Sequence, residues 1–198
     1  TLKADGATLA LTGGTYTNTG GNIESTSTAG STVQFNASTF TGGTLKGSGT
    51  LTTVGANTFN GISLNSGATL TIANNTSGTF SGTFNNAGTL KLNSLGNYTD
   101  TIAASGGLTL SGGGSVQLIG SNSRLYGANS AVTLTNTNNK IHGYGQLGAN
   151  QLLFNNQSNV AADVSGQTLT VDASATITNT GLFKAENGAT LTLQNSTF

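Results

Sequence analysis

One short sequence box recurs along this chain, and its recurrence limits the folds that the chain can adopt. The box reads Gly-Ala-Thr-Leu followed by an alternating pair, and its variants begin at Gly6, Gly30, Gly67, Ala87, Gly106, Ala131, Gly166 and Gly188. With two weaker members added, the apolar anchors recur about every 20 residues, a spacing typical of solenoid repeats. The anchors are Leu9, Val33, Leu51, Leu70, Leu90, Leu108, Val132, Leu152, Leu169 and Leu191.

The two ends of the chain carry the same version of the box. Residues 3–16 read KADGATLALTGGTY, and residues 184–198 read KAENGATLTLQNSTF. Both ends therefore resemble interior units of an array, without the polar cap that ends a natural solenoid. We therefore expect Leu2, Leu193 and Phe198 to be partly exposed. We expect residues 1–198 to form one continuous segment, either of a longer rod or of a tandem unit of roughly 180 residues.

Within each box apolar and polar residues alternate, which is the period of a β-strand. Leu191 and Leu193 therefore lie on one side of their strand, and Thr190 and Thr192 lie on the other. Such a short strand cannot bury its apolar side alone, but successive turns of a coil can stack leucine on leucine. We predict an all-β fold, a single-stranded parallel β-helix (β-solenoid) of about nine to ten rungs and about 45 Å in length. Its inward residues include Leu70, Leu90, Leu110, Leu134, Leu169 and Leu191.

The composition fits this fold and argues against several functions. The chain has 30 Gly, no Pro and no Cys, only 6% charged residues and a formal net charge of zero. Thr favours strands, whereas Gly and Asn favour turns, where stacked asparagines can form hydrogen-bonded ladders. Asparagine pairs fall at expected turns: Asn74–Asn75, Asn85–Asn86, Asn138–Asn139 and Asn155–Asn156. The few basic residues argue against nucleic acid, and no apolar run is long enough to insert into a membrane.

The chain also resembles a known class of proteins. The strings NNKIHGYGQLG, QLLFNNQSNVAAD and QTLTVDASATITNTGLFKAENGATLTL resemble the rung pattern of large secreted bacterial exoproteins. These include filamentous-haemagglutinin-like adhesins and autotransporter passengers. The similarity covers essentially the whole chain and is strongest from Asn138 to Leu193. It implies a right-handed parallel β-helix, export to the bacterial cell surface and a role in adhesion or biofilm structure, but no family site residue has a match here.

Two motifs have a structural and a functional interpretation. Residues 143–148 read GYGQLG and match a dinucleotide-binding fingerprint, with Asp163 about twenty residues further on. The following residues do not form a helical pattern, and LKGSGTL from Leu45 has the same glycine frame, so we interpret GYGQLG as a turn. The lone His142 aligns with Lys46 of that second motif, which predicts an outward turn or strand position. We expect no metal and no cofactor.

The carboxylates are the candidates for catalysis, because some β-helical enzymes place several acids on neighbouring turns. The chain has six: Asp5, Glu24, Asp100, Asp163, Asp172 and Glu186. Asp163 and Glu186 are about one turn apart, but so are Lys140 and Lys184, which favours a ladder of surface ion pairs. Glu24 and Lys46 suggest the same arrangement. We therefore expect that the chain is not an enzyme and has no catalytic residues.

Threonine pairs raise a third possibility, an ice-binding solenoid, which would need its pairs in register on one flat face. The pairs are Thr15/Thr17, Thr26/Thr28, Thr69/Thr71, Thr133/Thr135, Thr168/Thr170 and Thr190/Thr192. They move between boxes, and the irregular rung lengths argue against one continuous row. We expect solvent-facing strand residues instead.

The function that we favour is a structural rod or stalk segment of a secreted or surface-attached bacterial adhesin or extracellular matrix filament. The alternatives are a carbohydrate-active β-helix, such as a polysaccharide lyase or hydrolase, and the ice-binding solenoid. The expected contacts are with neighbouring repeats of the same chain. Host or bacterial surface glycans and like rods are the candidate external partners, and the expected location is extracellular.

Overall fold

The alternating boxes fold into short strands that wind into a parallel β-solenoid of about nine turns. The computed structural model describes residues 1–194, which contain strands and turns and no helix. Every strand pairing among these residues is parallel, and each joins equivalent strands of successive turns or rungs. The prediction of an all-β solenoid of about nine to ten rungs is confirmed, while its right-handed winding stays a prediction.

Each rung contributes a strand to three faces, which we call A, B and C in chain order. Four long strands, β12 (Ser77–Asn86), β14 (Thr99–Ser111), β15 (Ser115–Gly127) and β17 (Lys140–Gly148), bend at a corner and serve two faces. Face A has the second parts of β12 and β14, with β1 (Leu2–Ala4), β4 (Asn22–Ser25), β7 (Thr44–Lys46), β10 (Ser63–Leu64), β16 (Thr133–Asn136), β18 (Leu153–Asn156) and β21 (Thr178–Asn179).

The other two faces are built in the same way. Face B has the first parts of β15 and β17, with β2 (Thr8–Thr12), β5 (Thr32–Asn36), β8 (Thr50–Thr53), β11 (Thr69–Ile72), β13 (Thr89–Asn93), β19 (Asn159–Ala162) and β22 (Leu182–Ala185). Face C has the first parts of β12 and β14 and the second parts of β15 and β17, with β3 (Thr15–Thr17), β6 (Thr39–Thr41), β9 (Ala56–Asn60), β20 (Thr168–Asp172) and β23 (Thr190–Gln194).

The core is a column of apolar side chains inside the coil, as the alternation predicts. Leu70, Leu90, Leu110, Leu134 and Leu169 are buried, and Leu191 in the last rung is partly buried against the same core. One inward row on face B runs through the whole coil. It consists of Leu9, Val33, Leu51, Leu70, Leu90, Val116, Ile141, Val160 and Phe183.

The predicted anchors do not all belong to that row. The anchors from Leu9 to Leu90 stack on face B, but Leu108 lies on face A, where it pairs with Leu134. Leu169 and Leu191 pair with each other on face C. The box therefore specifies a corner followed by a strand. Because this combination occurs at all three corners of the coil, the box is not specific to one face.

The first rungs also contain a column of aromatic rings on the inner side of face C. Tyr16, Phe40, Phe59 and Phe80 are register partners in successive rungs. Their ring centroids are 5.0, 5.5 and 5.0 Å apart with nearly parallel planes, and Phe84 extends the column. These offset stacks add to the stabilisation from burial alone.

The open ends of the coil expose apolar side chains. Leu2 in the first rung is 38% exposed and Leu193 in the last described rung is 43% exposed, as predicted from the array-like ends. Phe198, for which we made the same prediction, lies outside the described residues. Strands β2 and β23 each have a partner on one side only within residues 1–194.

Candidate functional surface

The outward positions of the strands form rows of small polar side chains along the rod. On face B, Thr8, Thr32 and Thr50 are register partners in three successive rungs, and Thr69, Thr89 and Ser115 are register partners in the next three. The pairing of Leu51 with Leu70 joins the two runs. Rungs stack about 4.8 Å apart, so each row presents evenly spaced hydroxyl and methyl groups to solvent. The threonines are thus better aligned than the irregular rung lengths suggested.

The threonine pairs nevertheless do not form one wide array. Thr15/Thr17 lie on face C, Thr69/Thr71 lie on face B, and Thr133 lies on face A. Along the described rungs, a threonine pair is matched by a second pair in the adjacent rung at most once in a row, as where Thr39/Thr41 pair with Thr15/Thr17. The described rungs therefore do not build an extended flat array of the kind that ice binding requires.

The glycines of GYGQLG serve backbone packing at a corner. Gly143 has a φ of +108°, and a Cβ there would collide with the carbonyl oxygen of Leu118 in the rung below. Gly47 of LKGSGTL has a φ of +99° and faces the carbonyl oxygen of Ser25 in the same way. Both motifs allow close approach of two rungs, which only glycine permits. The segment after Gly148 continues into strand β18 and not into the helix that a dinucleotide site needs.

The same comparison corrects the alignment of His142 with Lys46. Lys46 lies on face A and pairs with Glu24, whereas His142 lies on face B between Gln117 and Ala161. The two glycine motifs lie at different corners of the coil, so their neighbours are not equivalent. His142 does occupy an outward strand position, and 18% of its side chain is exposed.

Lys140, His142 and Asp163 form a cluster on the outer side of face B, in the seventh and eighth rungs, with Asp163 directly after the end of β19. Lys140 Nζ donates to Asp163 Oδ2 at 2.9 Å, and His142 Nδ1 lies 2.9 Å from the same oxygen. In the next rung, Lys184 Nζ donates to Glu186 Oε2 at 2.8 Å. The contact between Lys140 and Asp163 is the predicted ion pair between neighbouring rungs, whereas Lys184 and Glu186 pair within one rung.

Burial and charge set the protonation states in this cluster. Burial lowers the pKa of His142 below its usual 6.5, and Lys140 lowers it further, while the Asp163 carboxylate opposes both. Burial raises the pKa of Asp163, but hydrogen bonds from Lys140 and His142 outweigh this effect and hold it below 3.8. At neutral pH the imidazole is therefore neutral and donates its Nδ1–H to the carboxylate.

The remaining acids are spread along the rod. Asp5 Oδ2 lies 3.2 Å from Lys3 Nζ. Asp5 also accepts hydrogen bonds from the hydroxyl groups of Thr28 and Thr26, which lower its pKa to about 2. Glu24 forms its predicted pair with Lys46 at 3.6 Å.

Asp172 lines a shallow cleft on face C near the end of the coil, with Gln146, Ala149, Thr170 and Gln194. Within residues 1–194, no three His, Cys, Asp or Glu side chains lie close enough together to hold a metal.

The most elaborate surface cluster was missed by the sequence reasoning. Arg124 Nε and Nη2 donate to the two carboxylate oxygens of Asp100 at 2.7 and 2.8 Å. The guanidinium carbon lies 3.8 Å from the ring centroid of Tyr98 and 5.0 Å from that of Tyr126. The spacing of 24 residues between Asp100 and Arg124, close to one rung, is the sequence signal that could have found this pair.

Comparisons with protein-family models, with curated proteins and with solved structures found no match to this chain. Among the described residues there is also no helix long and apolar enough to cross a membrane.

Proposed function

We propose that this chain is a rod or stalk segment of a secreted or surface-attached bacterial adhesin or extracellular matrix filament. The observation that carries the proposal is the uninterrupted parallel ladder, which joins every rung to the next from β1 to β23. Such a ladder with a continuous apolar core gives a stiff spacer, because bending it would break hydrogen bonds and packing in several rungs together. The resemblance to large secreted exoproteins supports the bacterial and extracellular part of the proposal.

The surface supports a passive role. Its outward rows are largely threonine, serine and asparagine, and its few charges are mostly engaged in pairs. Contacts made by such rows are individually weak and gain strength by repetition along a long rod. Like rods and surface glycans are the partners that we propose.

Surface display tests this function directly. The chain would be anchored on a non-adherent bacterium and the biomass retained on a surface would be measured. We expect more retained biomass than with the anchor alone, and a loss of the gain for Leu90→Asn, which disrupts the core. Lys91→Asn changes the outward neighbour and is the matched control. Equal biomass with and without the chain would contradict the proposal.

We further propose that the chain is not an enzyme. The two acids closest to the one-turn arrangement of a carbohydrate-active site, Asp163 and Glu186, each contact a lysine. A general acid needs a raised pKa. Burial raises the pKa of Asp163, but the hydrogen bonds from Lys140 and His142 outweigh this effect and hold the pKa below 3.8. Turnover of polygalacturonate by the purified chain, abolished by Asp163→Ala, would overturn this proposal.

A further inference from the structure

The missed cluster on face C borders a cleft. Ala56, Ser77 and Asp100 are register partners in three successive rungs, and Arg124 continues their row in the fourth. The side chains of Ala56 and Ser77 are small, which leaves a depression in the surface along this row. The larger side chains of Asp100 and Arg124 bound the depression at one end. The cleft has a volume of about 220 Å³ and is lined by Ala56, Asn75, Thr76, Ser77, Tyr98 and Asp100.

Tyr98 forms a wall of this cleft and is held in place from behind. Arg124 stacks on one side of the ring, with its guanidinium carbon 3.8 Å from the centroid, and this cation–π contact fixes the ring. The residue is still 54% exposed, so another part of its ring surface is open to solvent. Asp100 holds Arg124 through two hydrogen bonds, so the aromatic wall, its backing and the acid form one unit.

The loop that carries Tyr98 is clamped by both neighbouring rungs. Asn74 in the rung below accepts hydrogen bonds through Oδ1 from the backbone N–H groups of Leu95 (2.8 Å) and Asn97 (3.1 Å). Asn122 in the rung above donates through Nδ2 to the carbonyl oxygen of Gly96 at 2.8 Å. A loop held on both sides loses little entropy when a ligand binds, which favours binding.

We propose that this cleft binds one neutral hexopyranose ring of a glycan, stacked on Tyr98. One side of a pyranose ring presents C–H groups that pack on an aromatic face, whose π-electrons attract the slightly positive hydrogens. The hydroxyl groups of the sugar then meet the Asn75 amide, the Ser77 hydroxyl and the Asp100 carboxylate. The inference rests on the proposed adhesin function, for which it names a ligand class and a site.

Charge and size select this ligand class. Asp100 is the charged side chain that lines the cleft, so its carboxylate would repel an anionic sugar, and it also neutralises the neighbouring cation Arg124. The cleft is smaller than the roughly 300 to 1,000 Å³ of pockets for drug-sized ligands, which fits one ring and not a whole oligosaccharide.

Nuclear magnetic resonance titration of the ¹⁵N-labelled chain tests the proposal. The probes are lactose, cellotetraose and maltotetraose, with trigalacturonate as the anionic comparison. We expect at least one neutral probe to shift the amide signals of residues 94–98 and of Ser77. Tyr98→Ala should weaken this binding about tenfold, while Tyr98→Phe should retain it because the ring remains. Leu95→Ala is the matched control, since Leu95 lies in the same loop, is 77% exposed and does not line the cleft.

The opposite results would overturn the inference. These are no shift with any neutral probe, shifts that persist in Tyr98→Ala, or preferential binding of trigalacturonate. Circular dichroism of each variant would verify that the β-fold is retained. Surface display separates this inference from the proposed function. Retained biomass without sugar binding would support the rod function and contradict the sugar site. Sugar binding without retained biomass would support the sugar site and contradict the adhesive rod function.

Discussion

The side-chain amide of Asn136 donates a 3.0 Å hydrogen bond to the amide oxygen of Asn156, its register partner in the next rung. Asn156 in turn donates to Asn179 at 2.8 Å, and both Asn136 and Asn156 are fully buried. Asn86 joins the same corner through a 2.7 Å bond to Asn139. Of the expected asparagine pairs, Asn85–Asn86, Asn138–Asn139 and Asn155–Asn156 each supply a member of this internal ladder.

Breaking the ladder should be costly. In Asn156→Ala, the backbone carbonyl of Ser158 and the amides of Asn136 and Asn179 each lose a buried partner. We expect a loss of at least about 2 kcal/mol in the free energy of unfolding, measured by urea denaturation. Asn155→Ala is the control, because this neighbour faces outward and should change stability by less than about 0.5 kcal/mol. Equal effects of the two substitutions would show that the ladder contributes nothing.

Polar substitution inside the core should also destabilise the rod. Leu90 is stacked between Leu70 and Val116 in successive rungs and is 1% exposed. Leu90→Asn places an amide in this apolar column without a partner, so we expect a loss of at least ~2 kcal/mol. Thermal unfolding would measure it, with Lys91→Asn as the control. An unchanged melting temperature for Leu90→Asn would mean that this position is not core.

His142 should make stability depend on pH. Its folded-state pKa lies below the unfolded value because of burial and Lys140, although Asp163 and Glu186 oppose the shift. The folded state therefore binds fewer protons, and its stability is present above pH 6.5 and falls as the pH drops through the folded pKa. We expect the melting temperature to fall between about pH 8 and about pH 5.

The variant His142→Gln isolates this effect, since glutamine keeps a donor near Asp163 but does not titrate in this range. Its melting temperature should change less over the same interval. The same pH dependence in the variant and the natural chain would assign the effect to another group.

The terminal rungs of the 198-residue chain should open more readily than the middle. Within residues 1–194, strands β2 and β23 are paired on one side, whereas Leu110 in β14 lies between strands of both neighbouring rungs. Amides near Leu9 and Leu191 should therefore exchange faster than those near Leu110 in hydrogen-exchange measurements. Equal strong protection at both ends, in a sample shown to be monomeric by light scattering, would mean that the chain caps itself.

The surface was less predictable than the core. The pairs Glu24–Lys46 and Lys140–Asp163 were found from their spacing of about one turn. The Asp100–Arg124 pair has similar spacing, but its cleft also needs Tyr98 on a loop clamped by asparagines of two other rungs. No local pattern encodes that arrangement, because its members are far apart in sequence and meet only when the rungs stack.

The alternation in the sequence is enough to predict the β-solenoid and the leucines that face its core. Alternation is a property of adjacent residues, and a strand places neighbours on opposite sides whatever lies around it. The face that each box occupies becomes visible only in the folded coil. Lys3 and Lys184 begin nearly identical boxes, yet Lys3 lies on face A and Lys184 on face B. Corner lengths vary from rung to rung, and packing across a whole turn of the chain sets the register between rungs, so a local box cannot specify its face.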